Sequence, residues 1–271
     1  MASVFTRFEI HAITKGGTIL LWELHPLFNG GAPLRFRIYQ SRSGVGDWLL
    51  VGTAVDTYMF LDENQWVYGK APRWHYKLTV EDSEGNTYET CTQQVLGNLP
   101  DRDRALLNEM IRKESLRNGQ YAGTCGWLFK KRRWGTKCPD CLDYDTGEIV
   151  NADCASCLGT GFTGGYFSGI EYWFSASVPG VKRRTQTQDQ GQGITGDRVW
   201  AARGVNCPWL DTGDVWINAC NDRRYIVQSV QEITYRDIPF VFDPVELRLA
   251  PATDVVYNII RPDEEPISSS N

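Results

Sequence analysis

The sequence predicts a mainly β protein in which a β-sandwich, one connector helix, a cysteine-clipped insertion and a small β-barrel follow one another. Three observations predict this. Short segments rich in β-branched and aromatic residues crowd residues 1–96 between Gly, Asn and Asp turns, at the spacing of a sandwich. Two Cys-x-x-Cys pairs, Cys138/Cys141 and Cys154/Cys157, stand in the middle of the chain. From about residue 170 strand-like segments return.

In the first region the strands are "FTRFEIHAI", "TILLWEL", "LRFRIYQS", "WLLVGTAV", "YMFLD", "WHYKLTVED" and "TYETCTQQV". Alternation in "RWHYKLTVED" puts Trp74, Tyr76, Leu78 and Val80 on one face, and "SEGN" turns the chain back. Residues 97–122 change period. Pro100, Asp101 and Asp103 open a helix, Leu106/Met110 and Leu107/Ile111 recur four apart, and Asn118-Gly119 closes it.

Residues 123–169 hold the cysteine clip. Residues 170–262 return to strands in "IEYWFSASV", "RVWAARG", "DVWINA", "RRYIVQSVQEITYR", "FVFDPVELRLA" and "VVYNII", the pattern of a small β-barrel. Within it, 180–198 is polar, rich in Gln, Gly and Thr, and reads as an exposed loop. Residues 263–271 read as a flexible tail.

The composition, 42% hydrophobic and 23% charged over 271 residues, is that of a globular protein, with no apolar run approaching a membrane span. The N-terminus lacks the pattern of a signal peptide, which points to a reducing cytoplasm for maturation. Cysteines paired at this spacing in a reducing compartment point to metal before a disulfide framework. A net charge of -5 argues against a dedicated nucleic-acid coat.

Zinc takes four thiolates at the corners of a tetrahedron, and each Cys-x-x-Cys turn supplies two. Cys138, Cys141, Cys154 and Cys157 are therefore the candidate ligands, with "DYDTGE" as the turn between the pairs and Cys125 as a spare. Thiol redox catalysis is the rival for a single Cys-x-x-Cys, but no thioredoxin-like βαβ alternation surrounds either pair; an iron–sulfur cluster is the other alternative, with no cofactor motif nearby. "CASCLGTGF" also fits the glycine-bearing repeat of the cysteine-rich domain in DnaJ-type chaperones, but the first pair lacks those glycines. A closed four-thiolate site leaves no open position for substrate. Zinc here is expected to be structural, supplying folding free energy on the order of 10 kcal/mol to a segment too polar to build a core.

No catalytic motif is present: no nucleophile elbow, phosphate loop or dinucleotide fingerprint. His11, His25 and His75 show no ligand spacing, and acids in "LDTGD" and "RPDEE" read as solvated turn formers. The expectation is a protein that is not an enzyme and has no small-molecule substrate. Two basic runs could touch a partner or nucleic acid: Lys130, Lys131, Arg132 and Arg133, bracketed by Trp127 and Trp134, and Lys182, Arg183 and Arg184.

Two resemblances add to this reading. With Trp22 in the place of a buried strand tryptophan and Tyr76 in that of a later strand tyrosine, residues 1–96 resemble a fibronectin type III domain. Residues 127–167, with Cys-Pro-x-Cys, a Thr-Gly-Glu turn, Cys-x-x-Cys, Gly-Thr-Gly-Phe and Gly-Gly-Tyr, resemble a segment of structural proteins of tailed bacteriophages. The C-terminal third, "TGDVWI", "DRRYIVQSVQEI" and "PVELRLAP", is similar in plan to head-completion and neck proteins.

That resemblance implies a virion subunit, assembled in the bacterial cytoplasm, that forms a ring with copies of itself between portal and tail. It also implies contacts with portal, adaptor or tail proteins, and possible non-specific contact with packaged DNA. The 180–198 loop would order on docking to an adjoining ring. A tail or baseplate adaptor, a zinc-ribbon nucleic-acid-binding protein, and an adhesive protein using tryptophan platforms are the alternatives.

Overall fold

The structure, a computed structural model, describes residues 4–13, 17–25, 28, 33–62, 74–90, 93–94, 99–141, 148–177 and 199–263. The chain divides into two compact units, Met1–Arg112 with Arg132–Pro139 and Lys113–Lys131 with Asp140–Asn271.

In the first unit, β1 (Phe5–Ile13), β2 (Gly17–Leu24), β3 (Arg35–Ser41), β4 (Leu49–Val55), β5 (Met59–Asp62), β6 (His75–Glu81), β7 (Thr87–Glu89) and β8 (Gln93–Gln94) form two antiparallel sheets. One has the order β1-β2-β5; the other runs β4-β3-β6-β7, with β8 pairing to β6. Period-two alternation sets which side is buried. On β3, Phe36 and Ile38 are buried while Arg37 and Tyr39 are not, and on β6 Tyr76, Leu78 and Val80 are fully buried, as the pattern predicted. Trp74, expected on the same face, is half-buried.

The inner faces meet where Trp22 of β2 lies 5.0 Å from Phe36 of β3. Each such buried ring contributes about 1.5–3 kcal/mol relative to exposure. Beside them the Tyr76 hydroxyl donates to Asp62 Oδ2 at 3.0 Å, and burial together with that carboxylate pushes the phenol well above its usual range. The "SEGN" turn is held by Asp82 Oδ1, which accepts from the Glu84 and Asn86 amides at 2.9 Å each.

Helix α1 (Asp101–Leu116) buries Asp103, Leu107 and Ile111, while Leu106 of the expected stripe is exposed. It does not close at Asn118-Gly119. The chain runs on through a π-helical turn, Arg117–Ala122, and leaves it at Gly123, where a Cβ would collide with the Asn118 carbonyl.

The second unit is a closed barrel in the order β10-β11-β14-β13-β12-β9. Its strands are β9 (Gly123–Phe129), β10 (Ile170–Ala176), β11 (Val199–Val205), β12 (Val215–Asn218), β13 (Arg224–Tyr235) and β14 (Ile238–Leu249). Strand β9, grouped from sequence with the cysteine clip, is thus a barrel strand that pairs with β10 and β12, and the clip is an insertion between β9 and β10. The reason is steric and apolar: Leu128 is fully buried, and Gly126 leaves room for the Trp216 ring.

An aromatic cluster fills the barrel. Phe174 meets Trp216 edge-on at 5.4 Å and Tyr172 at 4.8 Å, and Trp216 Nε1 donates to the Tyr172 carbonyl at 3.1 Å. Val215, Ile217 and Phe129 form a second cluster with Ala250, Val256 and Ile259 from beyond β14. The last two come from "VVYNII", expected as a strand. It is instead a short 3₁₀ turn, Val255–Asn258, because Asp254 Oδ1 accepts from the Val256 amide at 3.1 Å and Arg224 donates to the Val256 carbonyl. Strands β13 and β14 are joined through Arg236 and Asp237, both at positive φ (50° and 64°), the geometry of a two-residue hairpin. The predicted loop 180–198 lies outside the described residues, as does all of the predicted tail except Asp263.

Candidate metal centre

The four predicted ligands come together. Cys138, Cys141, Cys154 and Cys157 are all buried, and their Sγ atoms lie within 4.8 Å of one another. A tetrahedron with Zn–S bonds of ~2.3 Å has edges of ~3.8 Å, inside that limit. Cys141 Sγ and Cys157 Sγ are 3.0 Å apart, well beyond an S–S bond of ~2.05 Å, and an ion would spread them. Four converging soft donors with no carboxylate among them suit a thiophilic cation.

Local backbone geometry makes the convergence possible. The amide of Leu158 donates to the Cys154 carbonyl at 2.8 Å and that of Thr160 to the Cys157 carbonyl at 3.0 Å, tightening the second turn. Gly159 then takes φ 74°, where any Cβ would sit 2.6 Å from the Ala152 carbonyl. The Val150 amide donates to the Cys141 carbonyl at 2.8 Å, tying the return of the insertion to the first turn. The chain rejoins the barrel where Lys131 and Tyr166 form a bridge and the Phe167 amide donates to the Lys130 carbonyl at 2.9 Å. The "DYDTGE" turn lies outside the described residues, except for Glu148.

Apolar burial does not hold the tip of this insertion, since Ile149 and Val150 face outward with 40% and 77% exposure. Among the described residues, the four cysteines are the grouping of metal-type side chains close enough to share an ion. Cys125 is not part of it. Its Sγ sits 3.7 Å from Glu171 Oε1, and burial and that carboxylate push the thiol up to about 11.

Of the first basic run, Lys130 is corrected by the structure. Lys130 is buried, and its Nζ donates to Asp214 Oδ2 at 2.6 Å, Asp211 Oδ2 at 2.7 Å and the Trp209 carbonyl at 2.9 Å. An ammonium so surrounded is not offered to phosphates. The physical reason is strand alternation: Lys130 follows β9 and points inward, onto the acids of "LDTGD". Those acids are corrected too. Asp214 is fully buried and also accepts from the Lys131 and Asp211 amides at 2.9 and 2.8 Å; burial raises its carboxyl above the ordinary range, with Lys130 pulling the other way.

Lys131, Arg132 and Arg133 are each half-buried, and burial lowers the Arg132 guanidinium while Asp56 opposes it. Trp134, expected to stack on bases, is buried edge-on against Phe36 at 5.7 Å. Trp127 packs on the cluster around Val215 and Ile217. The second run, Lys182, Arg183 and Arg184, lies outside the described residues.

Sequence reasoning missed the Lys130–Asp211–Asp214 network. Its one signal was the isolated Asp-x-x-Asp directly before a strongly apolar strand, "LDTGDVWI".

No helix among the described residues is long and apolar enough to cross a membrane. No family profile matches the chain, and no curated protein matches its sequence. A solved structure described as "Titin kinase and its flanking domains" is similar at 8% identity and a TM-score of 0.29, over 66% of this chain and 30% of that one. This chain therefore spans less than a third of that structure, and a likeness so distant carries no argument. The described residues themselves establish a mainly β chain with a closed six-stranded barrel and a buried four-cysteine cluster able to hold a metal.

Proposed function

We propose that this protein is a structural subunit of a tailed-bacteriophage virion, a ring-forming neck component that joins the portal side of the head to the tail. In this reading it is not an enzyme. The observation that carries the reading is the insertion of the four-cysteine segment between two neighbouring strands of a closed barrel. The phage-like segment, apart from Arg132–Pro139, and the neck-like C-terminal third thereby fall in one folded unit. A closed barrel has no open edge strands within it, so such a unit assembles through its ends and insertions.

The metal in this proposal is zinc, one per chain, bound by Cys138, Cys141, Cys154 and Cys157 in a purely structural role. The sheet orders β1-β2-β5 and β4-β3-β6-β7 support a fibronectin type III-like sandwich for the first unit, serving as an outward module. The inward use of Lys130 and Trp134 weighs against a nucleic-acid-binding protein.

Electron microscopy of particles lacking the subunit tests the function. Filled heads without tails are expected, whereas normally joined heads and tails overturn the reading. Density for the subunit along the tail or at the baseplate would move it to an adaptor there.

A further inference from the structure

The barrel holds a buried cluster whose chemistry exceeds what packing requires. Lys130 stands one position past β9 and Asp214 one position before β12, and because Phe129 pairs with Val215 the two meet across that strand pair. Lys130 Nζ donates to Asp214 Oδ2 at 2.6 Å, to Asp211 Oδ2 at 2.7 Å and to the Trp209 carbonyl at 2.9 Å, which occupies all three ammonium hydrogens. Lys130 and Asp214 are 4% and 0% exposed, while the Asp211 side chain, 21% exposed, forms the wetter edge of the cluster. One cation thus faces two acids where unsolvated charge is costly.

An amine and a carboxyl group held together out of water have a neutral end state, the amide. With the acceptor angle usual at a carboxylate, about 120° at the oxygen, the 2.6 Å contact puts Nζ ~3.4 Å from Asp214 Cγ, a near-attack separation. Asp214 Oδ1 accepts from the Lys131 amide at 2.9 Å and Oδ2 from the Asp211 amide at 2.8 Å. Two amides on one carboxyl polarise its carbon, and the first is placed to hold the negative charge that attack would put on Oδ1. Burial, which raises the Asp214 carboxyl, favours the protonated acid that such a reaction needs.

We propose that Lys130 and Asp214 close an intramolecular isopeptide bond, with Asp211 as the proton carrier. The Lys130 ammonium first passes a proton to Asp214 Oδ2, leaving an amine beside an acid. Nζ then attacks Cγ and the C–N bond forms, while Asp211 Oδ2 takes a second proton from the nitrogen and the Lys131 amide holds the charge on Oδ1. Asp211 returns that proton to the Oδ2 hydroxyl, the C–Oδ2 bond breaks, and water leaves. Nζ keeps one hydrogen, and no oxidant or cofactor enters. The bond ties β9 to β12 where the chain leaves the barrel for the cysteine insertion, across 84 positions of sequence. It is independent of the neck role, and either stands without the other.

Mass spectrometry of the full chain, unfolded after folding at neutral pH, tests this. The unaltered protein should be lighter than its sequence by one water, and digestion should yield a branched peptide that joins the Lys130 and Asp214 segments. Lys130→Arg keeps a cation in place but cannot form the bond, and should show the full mass. Asp214→Asn should lose ammonia instead and reach the same final product. Asp211→Asn, which leaves both reacting groups in place, should slow closure roughly a hundredfold, read as a chain at full mass that sheds water with time. Unchanged near-ultraviolet circular dichroism establishes that each variant is folded.

A wild-type chain at its full sequence mass, cut by trypsin after Lys130, overturns the bond and leaves an ion pair only. So does a loss of water that maps to an internal imide at another aspartate, or one that persists in Lys130→Arg. Closure of Asp211→Asn at the unaltered rate overturns the part given to Asp211.

Discussion

The barrel and the insertion it carries are held by different physics, although both belong to one continuous stretch of chain. Barrel strands bury Leu128, Phe174, Trp216, Val245 and Leu247 completely, so water exclusion fixes them. Among the described residues between Cys138 and Gly159, Ile149 and Val150 face solvent and the buried side chains are the four cysteines. Burying sulfur donors this close together without an ion would gain little, whereas ligation gains much. The barrel should therefore respond to changes in packing volume and the insertion to changes in metal, each nearly deaf to the other.

The sharpest way to break this contrast is to remove a ligand. Cys138→Ser, or Cys154→Ser, should abolish binding of the one zinc per chain proposed above and release segment 140–169 to proteolysis, a loss on the order of 10 kcal/mol for that segment. Near-ultraviolet circular dichroism from the barrel tryptophans should persist. Collapse of that signal would show that the barrel depends on the metal.

Next in size is Trp216→Ala in the barrel. It should cost about 3–5 kcal/mol in denaturant unfolding while zinc content stays at one. Lys130→Met should be comparable, about 3–5 kcal/mol at neutral pH, because it leaves the Asp214 carboxylate buried without its cation. Here pH adds a check. A carboxyl whose folded value is raised binds its proton more tightly folded than unfolded, so its contribution to stability falls as pH rises through that raised value. Without Lys130 the value rises further. The deficit of Lys130→Met should therefore shrink as pH is lowered and Asp214 becomes neutral, and a deficit independent of pH would contradict the role given to Asp214.

The smallest effect expected is that of Gly159→Ala. A left-handed φ and a close carbonyl make the substitution strained, by about 1–3 kcal/mol, and the loss should be read as weaker zinc affinity rather than a lower barrel midpoint.

Much of this organisation was legible in sequence wherever one local signal sufficed. Strict alternation identified the buried face of β6, and the paired Cys-x-x-Cys turns identified all four clustered residues. What escaped was set by distant partners. "KKRR" reads as a surface run because its neutralising acids lie some eighty positions on, at Asp211 and Asp214, and nothing local reveals them. "VVYNII" reads as a strand by composition, yet Asp254 and Arg224 draw it into a turn. The membership of β9 in the barrel was hidden by the insertion that follows it, since neighbouring strands are usually sought close together in sequence.

The position of that insertion has a kinetic consequence. Strands β9 and β10 pair directly, yet residues 130–169 intervene, and joining strands across so long a stretch is entropically slow. Gripping an ion part-way along draws the two strand ends together before either has its other neighbour. The metal proposed for that site would thus set how quickly the β9–β10 hairpin forms, and its scarcity would delay the barrel's birth without altering the barrel once finished.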